Sequence, residues 1–265
     1  MIELTRAKNA REAHHRFILN LISTGILSTV LKNRSRIKTK SEKKTANLPD
    51  IPTDNSSIWL HKTRRAQHSG EGADVPCGSC TACCTSSYFI HIQPDGQETL
   101  ASIPKKLLFR APGLPQGNVL MGYDKNGHCP MFKDNKCSIY KTRPQTCRDY
   151  DCRVFPATGL SVGADKPLID QQALRWKFDL STPLAQKELA AVHATAQFIR
   201  EHADCFPNEF IPTNATQQAV LAIKVYTVFL DLPDASDNND TDKLNRTLAD
   251  AMLETYTKFK CQDVA

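Results

Sequence analysis

Ten cysteines occur in 265 residues, and eight of them fall between Cys77 and Cys152. The first four make a C-x2-C-x2-C-C run, Cys77, Cys80, Cys83 and Cys84; the others are Cys129, Cys137, Cys147 and Cys152. A thiolate is a soft anionic ligand, and two-residue spacings let one short turn aim successive sulfurs at a common point. Thiols gathered this way either cross-link a chain or hold metal. Cross-links need an oxidising compartment, and cysteine at ~4% of the chain is below the ~8–10% that marks a disulfide scaffold. Packing alone does not account for such a density of free thiols. Metal is the expected partner. Adjacent Cys83 and Cys84 point in different directions, which suits two neighbouring sites or one ligand beside a spectator.

The spacing leaves the metal open. A zinc ribbon uses two C-x2-C knuckles, whereas the second half here has no knuckle. A C-x2-C-x2-C run completed by a remote Cys-Pro is the arrangement of bacterial ferredoxin loops, and Cys129-Pro130 supplies that dipeptide. An iron–sulfur cluster is therefore slightly favoured over zinc, and eight thiols suffice for two sites. The C-x3-C-x2-C run of radical S-adenosylmethionine chemistry is missing from the sequence. Cys77-Gly78-Ser79-Cys80 lacks the βαβ context of a redox dithiol, and the only G-x-G, Gly70-Glu71-Gly72, does not follow a strand pattern.

Two stretches, CGSCTACC at 77–84 and HCPMFKDNKCSIYKTRPQTCRDYDC at 128–152, resemble the YkgJ-type cysteine-cluster family, described as zinc- or iron-chelating. That pattern is CxxCxxCC, then a Cys-Pro segment, then C-x-I-Y-x-x-R-P-x-x-C-R. Its elements are Cys129-Pro130-Met131-Phe132, Cys137-Ser138-Ile139-Tyr140 and Arg143-Pro144-Gln145-Thr146-Cys147-Arg148 in this chain. The resemblance covers about residues 75–155 and implies chelation of metal by the cysteines. The family is similar to a domain of flagellin lysine N-methylases. An enzyme of protein modification is thus an alternative that rests on the resemblance alone.

Groups around the thiolates have roles of their own. A four-thiolate zinc site carries a net −2, and guanidinium groups offset such charge while donating to sulfur. Arg143, Arg148 and Arg153 are candidates, with Asp149 able to hold one of them. Pro144 is expected to fix the turn that delivers Cys147, Tyr140 to be a core aromatic, and His91 to pack or face water within a strand. His128 is a weaker ligand candidate, because eight thiols already oversupply the sites.

The elements that must position these groups come in three stretches: residues 1–70, 71–165 and 166–265. Residues 1–45 hold eleven Lys and Arg against three Glu, a net of +8; the whole chain is +6, so the remainder sums to −2. Only the arm is basic, and nucleic acid is not an expected partner of the body. Within the arm, Phe17 to Leu31 is apolar but shorter than the ~20 residues of a bilayer span, and Lys32-Asn33-Arg34-Ser35-Arg36 stands where a signal cleavage site would. The arm fits an organellar presequence better than a secretory signal. It reads most simply as an appendage, and a cytoplasmic protein with no transmembrane span is expected. Residues 46–70, with Pro49 and Pro52, read as a linker. Residues 1–60 therefore look dispensable for folding.

In the cysteine stretch, strands are expected over Tyr88 to Ile92 and Val119 to Tyr123. Three helices are expected after it. Thr182-Pro183 caps the first, whose apolar face is Leu184, Ala191, Val192, Phe198 and Ile199. Asn214 caps the second, with Leu221, Val225, Val228 and Phe229. The third follows an acidic loop, Asp231–Asp240, with Leu244, Leu248, Met252, Tyr256 and Phe259 as its stripe. The fold class is α+β, a small cysteine-rich metal-binding domain with short strands capped by a C-terminal helical segment. The expected property is binding of zinc or an iron–sulfur centre by a structural, metal-handling or interaction module.

Overall fold

The segment read as a linker is a strand and a helix. In the computed structural model, which describes residues 49–73, 75–230 and 241–261, strand β1 (Ile51–Asn55) runs directly into helix α1 (Ser56–Ser69). The Asn55 side chain accepts a hydrogen bond from the Ser57 N–H at 3.1 Å, satisfying one of the unpaired donors of the helix start. Gly70 ends the helix with φ +66°, a left-handed conformation that costs glycine little. Trp59 of α1 is only 1% exposed and Leu60 is equally buried. Residues 1–60 thus include two core side chains, Trp59 and Leu60. The basic arm, its apolar run and the acidic loop 231–240 lie outside the described residues.

The cysteine stretch is built from short pieces. Strand β2 (Ile90–Ile92), helix α2 (Gln97–Ser102) and strands β3 (Leu108–Arg110) and β4 (Val119–Met121) form an antiparallel sheet of order β2-β4-β3 with α2 beside it. Both expected strands occur here, each shorter than read. Ile92, Ile103, Met121 and Met131 make a small core under this sheet, against which Cys129 packs. A hairpin of β5 (Phe132–Lys133) and β6 (Lys136–Cys137) turns at Asp134 and Asn135, both with positive φ. Short Asp and Asn side chains tolerate that conformation, which the tight two-residue turn demands. Helix α3 (Gln145–Asp149) follows.

The remaining elements are α4 (Val154–Thr158), α5 (Pro167–Leu174), β7 (Trp176–Asp179), α6 (Pro183–Glu201), α7 (Ala215–Val225), α8 (Thr227–Leu230) and α9 (Thr241–Cys261). The Thr182 hydroxyl caps α6 by accepting from the Ala185 N–H, and Asn214 caps α7 through Thr216 and Gln217. Ala191, Val192, Phe198 and Ile199 are buried as expected, but Leu184, in the first turn of α6, is 53% exposed. Leu244, Leu248, Met252 and Phe259 bury the inner face of α9. Tyr256 is half-buried.

β1 pairs in parallel with β7, Ile51 beside Trp176, so the N-terminal piece closes onto a strand 125 positions later. The central core joins Trp59 and Leu60 to Cys152, Phe155, Ile169, Trp176, Val192 and Ile223, drawing on both sides of the division expected at residue 165. The architecture is a mixture of helices and small sheets. Among the described residues, no helix is long and apolar enough to cross a membrane.

Candidate metal centre

Local hydrogen bonds bring the four segments that carry the thiols together. Gly78 takes φ +53°, and the Cys80 N–H bonds the Cys77 carbonyl at 2.8 Å, so the first C-x2-C is a tight turn. A 3-10 turn over Ala82–Thr85 follows, held by Ser86 Oγ donating to the Ala82 carbonyl. The Cys84 carbonyl accepts from the Cys129 N–H at 2.7 Å, which fastens the first cysteine run to the second. Cys137 stands opposite Phe132 in the β5–β6 hairpin, and the Phe132 N–H bonds the Cys129 carbonyl. Pro144 is buried at the start of α3, and its carbonyl accepts from the Cys147 N–H at 2.9 Å, as the turn reading expected. Gly72 lies against α3 with φ +86°; a Cβ there would stand 2.8 Å from Arg148 Cβ, so the chain approaches Cys77 through a gap only glycine fits.

Cys152 is the most enclosed of the eight, at 6% exposure. Trp176 Nε1–H donates to its Sγ at 3.2 Å. The next residues form a buried ion pair: Arg153 Nη2 lies 2.9 Å from Asp151 Oδ2, and Trp59 Nε1 donates to the same carboxylate oxygen at 3.0 Å. A small cavity of about 20 Å³ is lined by Cys77, Cys80, Cys83 and Cys152, with Tyr150 and Trp176 in its wall. A broader cavity of about 450 Å³ runs along β3 and β4 and touches no cysteine, so size does not mark the chemistry here.

Residues 76–166 match the model of the CxxCxxCC family, whose description is "putative zinc- or iron-chelating domain". The match spans all eight clustered cysteines. Those residues are similar to that family. Neither the curated proteins nor the solved structures gave a match.

The clustered thiols lie in one another's electrostatic field. Burial pushes Cys83 well above its ordinary value, and Cys152, Cys80 and Cys77 add to the shift. As a residue Cys83 keeps an exposed edge. Burial raises Cys152 to about 12, against the hydrogen bond from Trp176, which favours the thiolate. Cys84 is likewise raised to about 12, first by burial and then by Cys129 and Cys137. Cys147 reaches about 12 by burial, then through Cys129, Cys84 and Cys137. Burial also raises Cys77 and Cys129; at Cys77 the Cys80 and Asp151 charges add to the shift, and Arg153 and Arg143 offset it in smaller part.

Neutral thiols have little reason to converge. Among the described residues, no three Cys, His, Asp or Glu side chains stand close enough together to hold a metal ion as they are. The donor chemistry nevertheless suits zinc or iron, because eight soft ligands are grouped where a divalent ion would relieve the cost of ionising them. One polar group in the cavity wall is also unsatisfied: the buried Tyr150 Oη has no hydrogen bond of good geometry, and faces Tyr88 with ring centroids 5.9 Å apart.

Several neighbours differ from the sequence expectation. Asp149 accepts from Gln145 at 2.7 Å, and the carboxylate that holds an arginine is Asp151, paired with Arg153. Arg143 stacks 4.1 Å above the Tyr140 ring, and Tyr140 is 55% exposed rather than a core aromatic. Arg148 donates to the Arg143 carbonyl. His128 packs edge-on against Phe132, and His91 meets Asn118 Oδ1 at 2.8 Å. Trp59, Tyr150, Asp151 and Trp176 went unread. The two tryptophans are the only ones in the chain, which was the available signal.

Proposed function

We propose that this protein binds zinc or an iron–sulfur centre through Cys77, Cys80, Cys83, Cys84, Cys129, Cys137, Cys147 and Cys152, as a structural, metal-handling or interaction module. The observation that carries this reading is the joining of Cys84 to Cys129 through the backbone, which draws two cysteine runs more than forty positions apart into one electrostatic neighbourhood. Bound metal would supply thiolate charge compensation and folding free energy, on the order of 10 kcal/mol for a structural zinc. The chain's own groups would hold that charge in place. The Trp176 N–H meets Cys152 Sγ and favours its thiolate. The CxxCxxCC match over residues 76–166 supports the same chemistry.

Alkylation of the native, anaerobically handled chain, read by peptide mass spectrometry, tests the assignment. Protection of the eight clustered thiols, with exposed Cys261 modified quickly and a chelator abolishing the protection, is the expected result. Rapid modification of all eight in protein that stays folded would contradict it.

A further inference from the structure

We infer that the eight thiols make two separate four-thiolate sites, Cys77, Cys80, Cys83 and Cys152 in one and Cys84, Cys129, Cys137 and Cys147 in the other. This rests on the reading that the cysteines bind metal, and goes beyond it by dividing them.

The division follows from the 3-10 turn at Ala82–Thr85. Consecutive residues in such a turn project about 120° apart, so Cys83 and Cys84 do not share a target. Cys77, Cys80, Cys83 and Cys152 line one small cavity, and Cys84 is not in its wall. The Cys84 carbonyl instead accepts from the Cys129 N–H, Cys137 stands opposite Phe132, whose N–H bonds the Cys129 carbonyl, and these three thiols are the ones felt at Cys147. The two groups also rest on different cores. Cys152 belongs to the central core with Trp59, Ile169 and Trp176, whereas Cys129 packs on the small core beneath the β2-β4-β3 sheet. Cys84 also feels Cys80 and Cys77, so the two sites adjoin across the turn.

All four thiols of the first group line one cavity of about 20 Å³, so a divalent ion drawing their sulfurs in to Zn–S distances of about 2.3 Å has a place to sit. As a divalent ion enters, each of four S–H groups gives its proton to solvent and its sulfur lone pair to the ion, leaving a net −2. The Trp176 N–H already points at one of those sulfurs.

The test uses the full chain, stripped anaerobically, reloaded with Zn²⁺ alone and desalted, with metal per chain and tryptophan emission measured together. Wild type should hold about two ions, and Cys152→Ser and Cys129→Ser should each hold about one. Emission should change on loading Cys129→Ser and stay constant on loading Cys152→Ser, because Trp176 touches only the first group. Should Cys152→Ser fail to fold, Cys77→Ser and Cys137→Ser report on the same two sites from less buried positions. A single ion lost equally in both variants would overturn the division while leaving metal binding intact. Folded wild type that takes up no metal would overturn the underlying reading as well.

Discussion

At the scale of single residues, the thiols differ in what they stand to lose. Cys80→Ser puts a poor ligand in the middle of the x2 run and should lower metal content and melting temperature together. Cys205→Ser, at a half-buried position after α6, should cost about 1 kcal/mol with metal content unchanged. Equal metal loss from both would mean that the site has been drawn around the wrong residues. The Asp151–Arg153 pair makes a second residue-level prediction. Asp151→Ala leaves a buried guanidinium and the Trp59 N–H without their acceptor, and should destabilise the fold by roughly 3–5 kcal/mol in chemical denaturation. A change below ~1 kcal/mol would show that water replaces the carboxylate.

The raised thiols also set the pH response of the metal-free chain. Cys84, Cys147 and Cys152 titrate near 12 when folded, against an ordinary value of 9.0. Between those values the unfolded chain releases protons that the folded chain keeps, so unfolding is favoured as pH rises. The metal-free denaturation midpoint should fall from pH 9 toward 12 and be insensitive to these groups below 9. The metal-loaded protein should respond in the opposite sense on the acid side, because each proton returned to a sulfur competes with the ion. A metal-free midpoint that rises with alkalinity would contradict the burial of these thiols.

At the scale of elements, what was legible in the sequence depended on how local the signal was. Thr182-Pro183 and Asn214 announce helix starts through side chains that bond their own neighbours, and both caps form as read. The cysteine run was legible for a similar reason: thiols are scarce, and their spacing is short. Helix α1 was not legible. Its large apolar residues, Ile58, Trp59 and Leu60, are consecutive and make no i, i+3, i+4 stripe, and Ile58 is 52% exposed. Its burial comes from β7 and α6, contacts with no trace in the local pattern. Tyr140 was misread because a motif position says nothing about which side of a turn faces water. The division of cysteines depends on Cys152 meeting Cys83 across sixty-nine positions, which no interval in the sequence encodes. Truncation should expose the difference. Deleting residues 1–48 removes no described element, whereas deleting 1–60 removes β1, Trp59 and Leu60. The longer deletion should abolish cooperative unfolding, and Trp59→Ala alone should cost about 3–5 kcal/mol. A 61–265 protein with native stability would refute the placement of α1 in the core.

At the scale of the whole molecule, the helical part and the cysteine part are not independent bodies joined by a tether. The central core holds Cys152 together with side chains from α1, α5, β7, α6 and α7, so a metal bound at Cys152 would brace the helices directly. Cys129 packs instead on the smaller core under the sheet. The most direct test of the central claim is elemental and acid-labile sulfide analysis of the full chain purified without oxygen. Firmly held zinc or iron, with removal causing loss of structure, is the predicted result; iron accompanied by sulfide would place a cluster among the thiols, and colourless zinc protein would place single ions there. Metal-free protein that remains folded and gains no stability from either metal would contradict the claim.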